Sequence, residues 1–146
     1  MQPYFLLHVP YFQLISSANV LYLHGDIKFT KGGWLNRNRV IVDSEIRMLT
    51  IPLAHSSDFS PIREKVISDE FEPNKLLRII TQGYKKAPNF EESFPIIEEI
   101  IFFNGRLFID FVENSILKIM KYFHISTPVK RMSEIGVFEN LKRTIW

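Results

Sequence analysis

The sequence predicts an α/β fold in which a small incomplete sheet from the N-terminal half is packed by about three C-terminal helices. Two observations carry that expectation. Apolar runs before Pro73 have strand length, whereas those after it recur at helical spacing. The 146 residues, 46% hydrophobic with thirteen Phe, also supply enough apolar surface for one well-filled core without covalent staples. An early strand–helix–strand unit makes an incomplete Rossmann-like core one form this sheet could take.

The first ten residues read as extended chain or loop, punctuated by Pro3 and Pro10. Tyr11, Phe12, Leu14, Ile15 and Ala18 fit a short helix packed on one side, and Val20 to Leu23 is a run suited to a buried strand. A loop with Gly25, Gly32 and Gly33 follows. Arg39 to Val42 and Arg47 to Ile51 are β-prone runs joined by Asp43, Ser44 and Glu45, a hairpin pattern. Residues 58 to 61 read as a turn and Glu64 to Ile67 as a short strand. Pro73 suits a first helical position, and Leu76, Ile79, Ile80, Gly83 and Tyr84 then form a helical stripe ended by Pro88. Phe90, Phe94, Ile97 and Ile101 form a second stripe. Leu107, Phe108, Phe111, Val112, Ser115, Ile119 and Phe123 form a third, with Phe111 and Ile119 as core positions. His124 falls where a helix-ending glycine would be comfortable.

Composition excludes several classes of function. Eighteen basic residues face sixteen acidic ones, a balance of +2 that argues against nucleic-acid binding. No cysteine is present, so disulfides, thiolate nucleophiles and cysteine-based zinc sites are excluded. His8, His24, His55 and His124 lack metal-ligand spacing, and no metal or other cofactor is expected. No run has the length and apolarity of a membrane span, and the interrupted, non-basic N-terminal segment does not read as a secretion signal, so a cytoplasmic location is expected. His55, Ser56, Ser57 and Asp58 adjoin in sequence, but a catalytic triad is assembled in space, so adjacency alone carries no chemistry.

The chemistry-bearing segment is Trp34 to Arg39, reading WLNRNR. In extended backbone Arg37 and Arg39 share one face and Asn36 and Asn38 the other, with same-face neighbours roughly 7 Å apart. Two adjacent guanidinium forks can each grip a phosphate or carboxylate through paired N–H donors. Lys28 and Lys31 lie upstream and would assist electrostatically. The same pattern also fits a solvated strand edge whose charges oppose unwanted pairing. Trp34 suits either stacking on a ligand ring or anchoring the loop in the core, with the core slightly favoured. Asp26, after an apolar strand, is a candidate catalytic base, with a loop or capping carboxylate the favoured reading of one aspartate alone.

Gln2-Pro3-Tyr4-Phe5, Tyr11-Phe12, Asp26, Lys31, Gly33 to Arg39, Leu49-Thr50-Ile51-Pro52 and Tyr84-Lys85-Lys86-Ala87-Pro88 resemble the WbqC-like protein family in order and spacing, from Met1 to about Gly136. The W-x-N-R-N and Y-K-K-A-P segments together are specific. The resemblance implies a single WbqC-like domain over residues 1–146, partial at both ends relative to typical members. It also implies a link to bacterial O-antigen and other surface-polysaccharide biosynthesis, with transfer of a glycyl, aminoacyl or related group as the activity. No catalytic residue comes with it.

Departures are visible too: Pro10 stands where the family has glycine, Gly25 where it has a second aspartate, and Lys28 where it has glutamine. Lys130-Arg131-Met132-Ser133 is similar to a lysine-serine signature of nucleotide-handling enzymes, and reads as a chance match. The expected ligand-binding set is Gln2, Tyr4, Lys28, Lys31, Trp34, Asn36, Arg37, Asn38 and Arg39. The expected partner is an anionic small molecule such as a sugar nucleotide, with self-association or a complementing second half also expected. The alternative is a non-catalytic ligand-binding module or an inactive fragment of such an enzyme.

Overall fold

The computed structural model describes residues 1–57 and 59–135. Its elements are α1 (Val9–Ser17), β1 (Leu21–Leu23), β2 (Arg37–Val42), β3 (Glu45–Thr50), α2 (Pro73–Tyr84), α3 (Phe90–Ile101), α4 (Phe108–Tyr122) and β4 (Val129–Arg131). Short 3-10 turns cover Ile62–Glu64 and Met132–Ile135. The α/β class and the three C-terminal helices agree with the sequence. The sheet does not form as one unit. β1 pairs in parallel with β4, while β2 and β3 form a separate antiparallel hairpin.

Local chemistry explains most boundaries. Pro10 lies in the first turn of α1, where its missing N–H removes no helical hydrogen bond, so it opens a helix rather than stiffening a loop. Phe12 and Ile15 are the buried positions of that helix, while Tyr11 and Leu14 face outward. Asp43 and Ser44 both have positive φ, +50° and +64°, the mirror-image turn that matches strand twist in a two-residue hairpin loop. Gln82 Nε2 donates to Asp43 Oδ2 at 2.8 Å and pins that turn to α2.

Pro73 opens α2, and His124 takes the left-handed conformation (φ +56°) just past α4. The Ile125 N–H donates to the Met120 carbonyl and the His124 N–H to the Lys121 carbonyl, closing the helix as a glycine would. The expected strand at Glu64–Ile67 is instead a 3-10 turn followed by isolated bridges, Val66 to Leu107 and Ile67 to Leu53. In the expected turn at 58 to 61, residue 58 lies outside the described residues.

The core is one contiguous cluster. Phe111 is fully buried, with the rings of Phe5, Phe71 and Phe103 at 5.9, 6.0 and 6.4 Å between centroids. Phe108, Val112, Ile116 and Met120 extend the buried stripe along α4, and Ile119 packs against it. Helix α2 packs on α3 and α3 on α4, and α2 bridges from α3 to the hairpin. The N-terminal segment is woven into this frame: Met1 N donates to Tyr22 O at 2.5 Å and His24 N to Met1 O at 2.8 Å, along the edge of β1 opposite β4.

Candidate functional site: a cationic cleft beside the hairpin

The alternation expected for β2 is realised, and its two faces do different work. On the inner side, Asn38 Nδ2 donates to the carbonyls of Leu6 and Phe5 at 2.7 and 3.2 Å, tying the N-terminal loop to the hairpin. Asn36, just before the strand, donates to the Ile51 carbonyl at 2.8 Å. Half-buried amides must satisfy their donors, and both do so on backbone oxygens distant in sequence. On the outer side, Arg37 and Arg39 have no carboxylate partner among the described residues. Arg37 Nε is buried without an acceptor. The Arg39 guanidinium lies 4.7 Å from the centre of the Trp34 ring, a cation–π contact.

These groups face a cleft of about 930 Å³. One wall is the N-terminal loop and the start of α1, with Gln2, Tyr4, His8 and Tyr11. Trp34, 53% exposed, stands at the rim, so the expected core role for this ring is replaced by a surface one. The hairpin contributes Arg37, Arg39, Ile41 and Ile46, and Tyr84 closes the far end. Tyr84 reaches that position because α2 crosses the hairpin at Gly83, where an added Cβ would stand 2.7 Å from the Ile41 carbonyl oxygen. Tyr4 and Tyr11 meet edge-to-face at 5.4 Å, and the Tyr4 hydroxyl accepts the His8 N–H at 3.3 Å. Burial raises the Tyr4 hydroxyl above its ordinary pKa, partly offset by that hydrogen bond, so at neutral pH it remains a neutral hydroxyl.

Of the expected ligand-binding set, Gln2, Tyr4, Trp34, Arg37, Asn38 and Arg39 line this cleft, whereas Lys28, Lys31 and Asn36 do not. Lys28 instead lies 4.2 Å above the Phe59 ring. Asp26 lies in a separate cavity of about 190 Å³, ion-paired with Arg63. Arg131, lining that same cavity, is claimed by Glu113 and by Asp110 at 2.6 Å. Burial opposes its charge, but the two carboxylates outweigh it and raise its pKa. Lys130 and Arg131 therefore belong to a structural strand and a charge network.

Sequence reasoning missed Tyr11 and Tyr84 as cleft residues, although both lie in the segments that carried the family resemblance. Lys65, buried at 4% exposure, was also unforeseen; its Nζ donates to Ser56 Oγ at 2.7 Å and to the Ser57 carbonyl at 3.0 Å. Ser56 thus holds a lysine. Among the described residues, no group of three or more His, Asp or Glu could hold a metal ion, and no helix is long and apolar enough to cross a membrane.

A mixed α/β domain with a cationic, aromatic-lined cleft beside its hairpin is what the fold and geometry define. The chain belongs to the WbqC-like protein family, whose model matches residues 2–145. It is similar to the uncharacterized protein Rv1507c of Mycobacterium tuberculosis (strain ATCC 25618 / H37Rv), 29% identical over 83 residues. That match covers 56% of this chain and 36% of the relative, so the matched part is about a third of the relative's length. No solved structure matches the chain.

Proposed function

We propose that this WbqC-like protein binds an anionic small molecule of the sugar-nucleotide class in the hairpin cleft. In this reading it acts in bacterial surface-polysaccharide biosynthesis by transferring a glycyl, aminoacyl or related group onto that ligand or a glycan precursor. The observation that carries the reading is the pair Arg37 and Arg39, on one strand face, facing a cleft and lacking any carboxylate partner among the described residues. Two guanidinium groups left without counter-charges suit a phosphate, which accepts their paired donors. Trp34 and Tyr11 add flat apolar surface for a base or sugar ring. His8 is the cleft imidazole that would accept a proton during transfer.

A second reading, binding without catalysis, is favoured by one observation. No carboxylate lines the cleft among the described residues, and Asp26 is engaged by Arg63 elsewhere. Intrinsic fluorescence tests binding: a uridine diphosphate sugar should quench Trp34, and Trp34→Phe should abolish the change. No response at millimolar ligand would remove the sugar-nucleotide reading. Transfer from an activated aminoacyl donor, lost in His8→Ala while quenching persists, would select the transferase. Quenching without turnover in the native protein would select the binding module.

A further inference from the structure

Beyond the two arginines, the hairpin's outer face continues into an apolar half. Register places Arg39 opposite Met48 and Ile41 opposite Ile46, so all four side chains project from the same face. Ile41 and Ile46 are 63% and 64% exposed, and both line the cleft that Arg37 and Arg39 face. The hairpin's packing does not require them, because Val42 and Leu49 on the opposite face are the strand residues buried in the interior. From Arg39 to Ile41 the strand advances about 7 Å, the reach of a few methylene groups. Tyr84, held beside the hairpin by the close approach at Gly83, walls this apolar end.

The geometry points to an amphiphilic phosphate as the ligand: an anionic head held by Arg37 and Arg39, and an apolar chain laid over Ile41, Ile46 and Tyr84. This rests on the anion-binding reading of the same cleft and specifies what lies beyond the phosphate. Charge selects this occupant over a second copy of the chain. Hairpin faces docked on one another would bring arginines against arginines or isoleucines, because Glu45 lies on the opposite face at the turn and pairs with Arg47. Burying those guanidinium groups without an acid is costly. A lipid-like phosphate supplies the missing charge and covers the isoleucines in one molecule.

Calorimetric titration of the full chain with inorganic phosphate, a uridine diphosphate sugar and decyl phosphate below its aggregation concentration tests this. Decyl phosphate should bind at least about tenfold more tightly than inorganic phosphate. Ile41→Thr with Ile46→Thr keeps β-branched residues in the strands, and should weaken decyl phosphate about tenfold and the uridine diphosphate sugar, which has no alkyl chain to lay over them, by a much smaller factor. Arg37→Ala should weaken both. Decyl phosphate no tighter than phosphate, or indifferent to the threonine pair, would overturn the amphiphile. In that case an Arg37-dependent response to the uridine diphosphate sugar would leave the anion site standing. Indifference of every ligand to Arg37→Ala would remove the anion site itself. Sedimentation with phosphatidylglycerol vesicles without binding of monomeric decyl phosphate, or a dimer in light scattering that the threonine pair dissolves, would also overturn the proposal.

Discussion

The two faces of the β2–β3 hairpin are built from alternate residues of the same short strands, yet they hold opposite kinds of chemistry. The inner face spends its side chains on structure: Asn38 binds the carbonyls of Phe5 and Leu6, and Val42 and Leu49 are buried. The outer face leaves Ile41 and Ile46 exposed and Arg37 and Arg39 without a carboxylate partner among the described residues, Arg39 resting only on the rim ring of Trp34. A period of two residues is enough to separate holding the fold from presenting a site. Stability and ligand binding should therefore respond to different substitutions only one position apart.

The largest expected effect belongs to the interior that the inner face joins. Phe111→Asp places a carboxylate among the rings of Phe5, Phe71 and Phe103, and should cost at least about 4 kcal/mol, enough to unfold a marginal domain. An unchanged thermal melt would show that the helical stripe has been misread. Next comes Asn38→Ala, which strands the carbonyls of Phe5 and Leu6 and should cost about 1–2 kcal/mol in urea unfolding. The neighbouring Arg39→Ala should cost less than about 0.5 kcal/mol, because its cation–π contact is at the surface. Equal losses at 38 and 39 would show that both faces of the hairpin hold the fold.

Gly83→Ala sets two effects against each other. Alanine favours the helix by about 1 kcal/mol, but its Cβ meets a backbone oxygen and costs about 1–3 kcal/mol, so a modest net loss is expected in thermal melts. The smallest effect is on pH. Burial first, and then the nearby positive terminal amine, lower the pKa of His24 below its ordinary 6.5. The unfolded chain then binds the proton more readily. Stability present above about pH 6.5 should fall slightly on acidification through the folded-state value, and His24→Gln should flatten that slope in melts between pH 7.5 and 5.

The three C-terminal helices were legible because their apolar stripes run for about three or four turns, long enough for period to identify them. The hairpin was legible from two β-prone runs flanking Asp43 and Ser44. β4 was not, because Val129, Lys130 and Arg131 offer one apolar residue and no alternation, and only pairing with β1 makes them a strand. The same reason hid the division of the strands into two units. At the site, Arg37 and Arg39 could be read from alternation alone. The duties of Asn36 and Asn38 could not, since their acceptors lie at residues 51, 5 and 6. Lys28 and Lys31 were grouped with the arginines by sequence proximity, but Lys28 turns instead to Phe59.

Under the proposed function, the outer face of the hairpin binds an anion without holding the fold. Calorimetry and thermal melting on one preparation of Arg37→Lys with Arg39→Lys test it most directly, because charge is kept while the paired-donor geometry is lost. The expected result is a melting temperature within about 2 °C of the native protein and an affinity for a uridine diphosphate sugar reduced about tenfold or more. Native affinity in this variant would place the site elsewhere, and a large fall in melting temperature would show that the arginines belong to the fold after all.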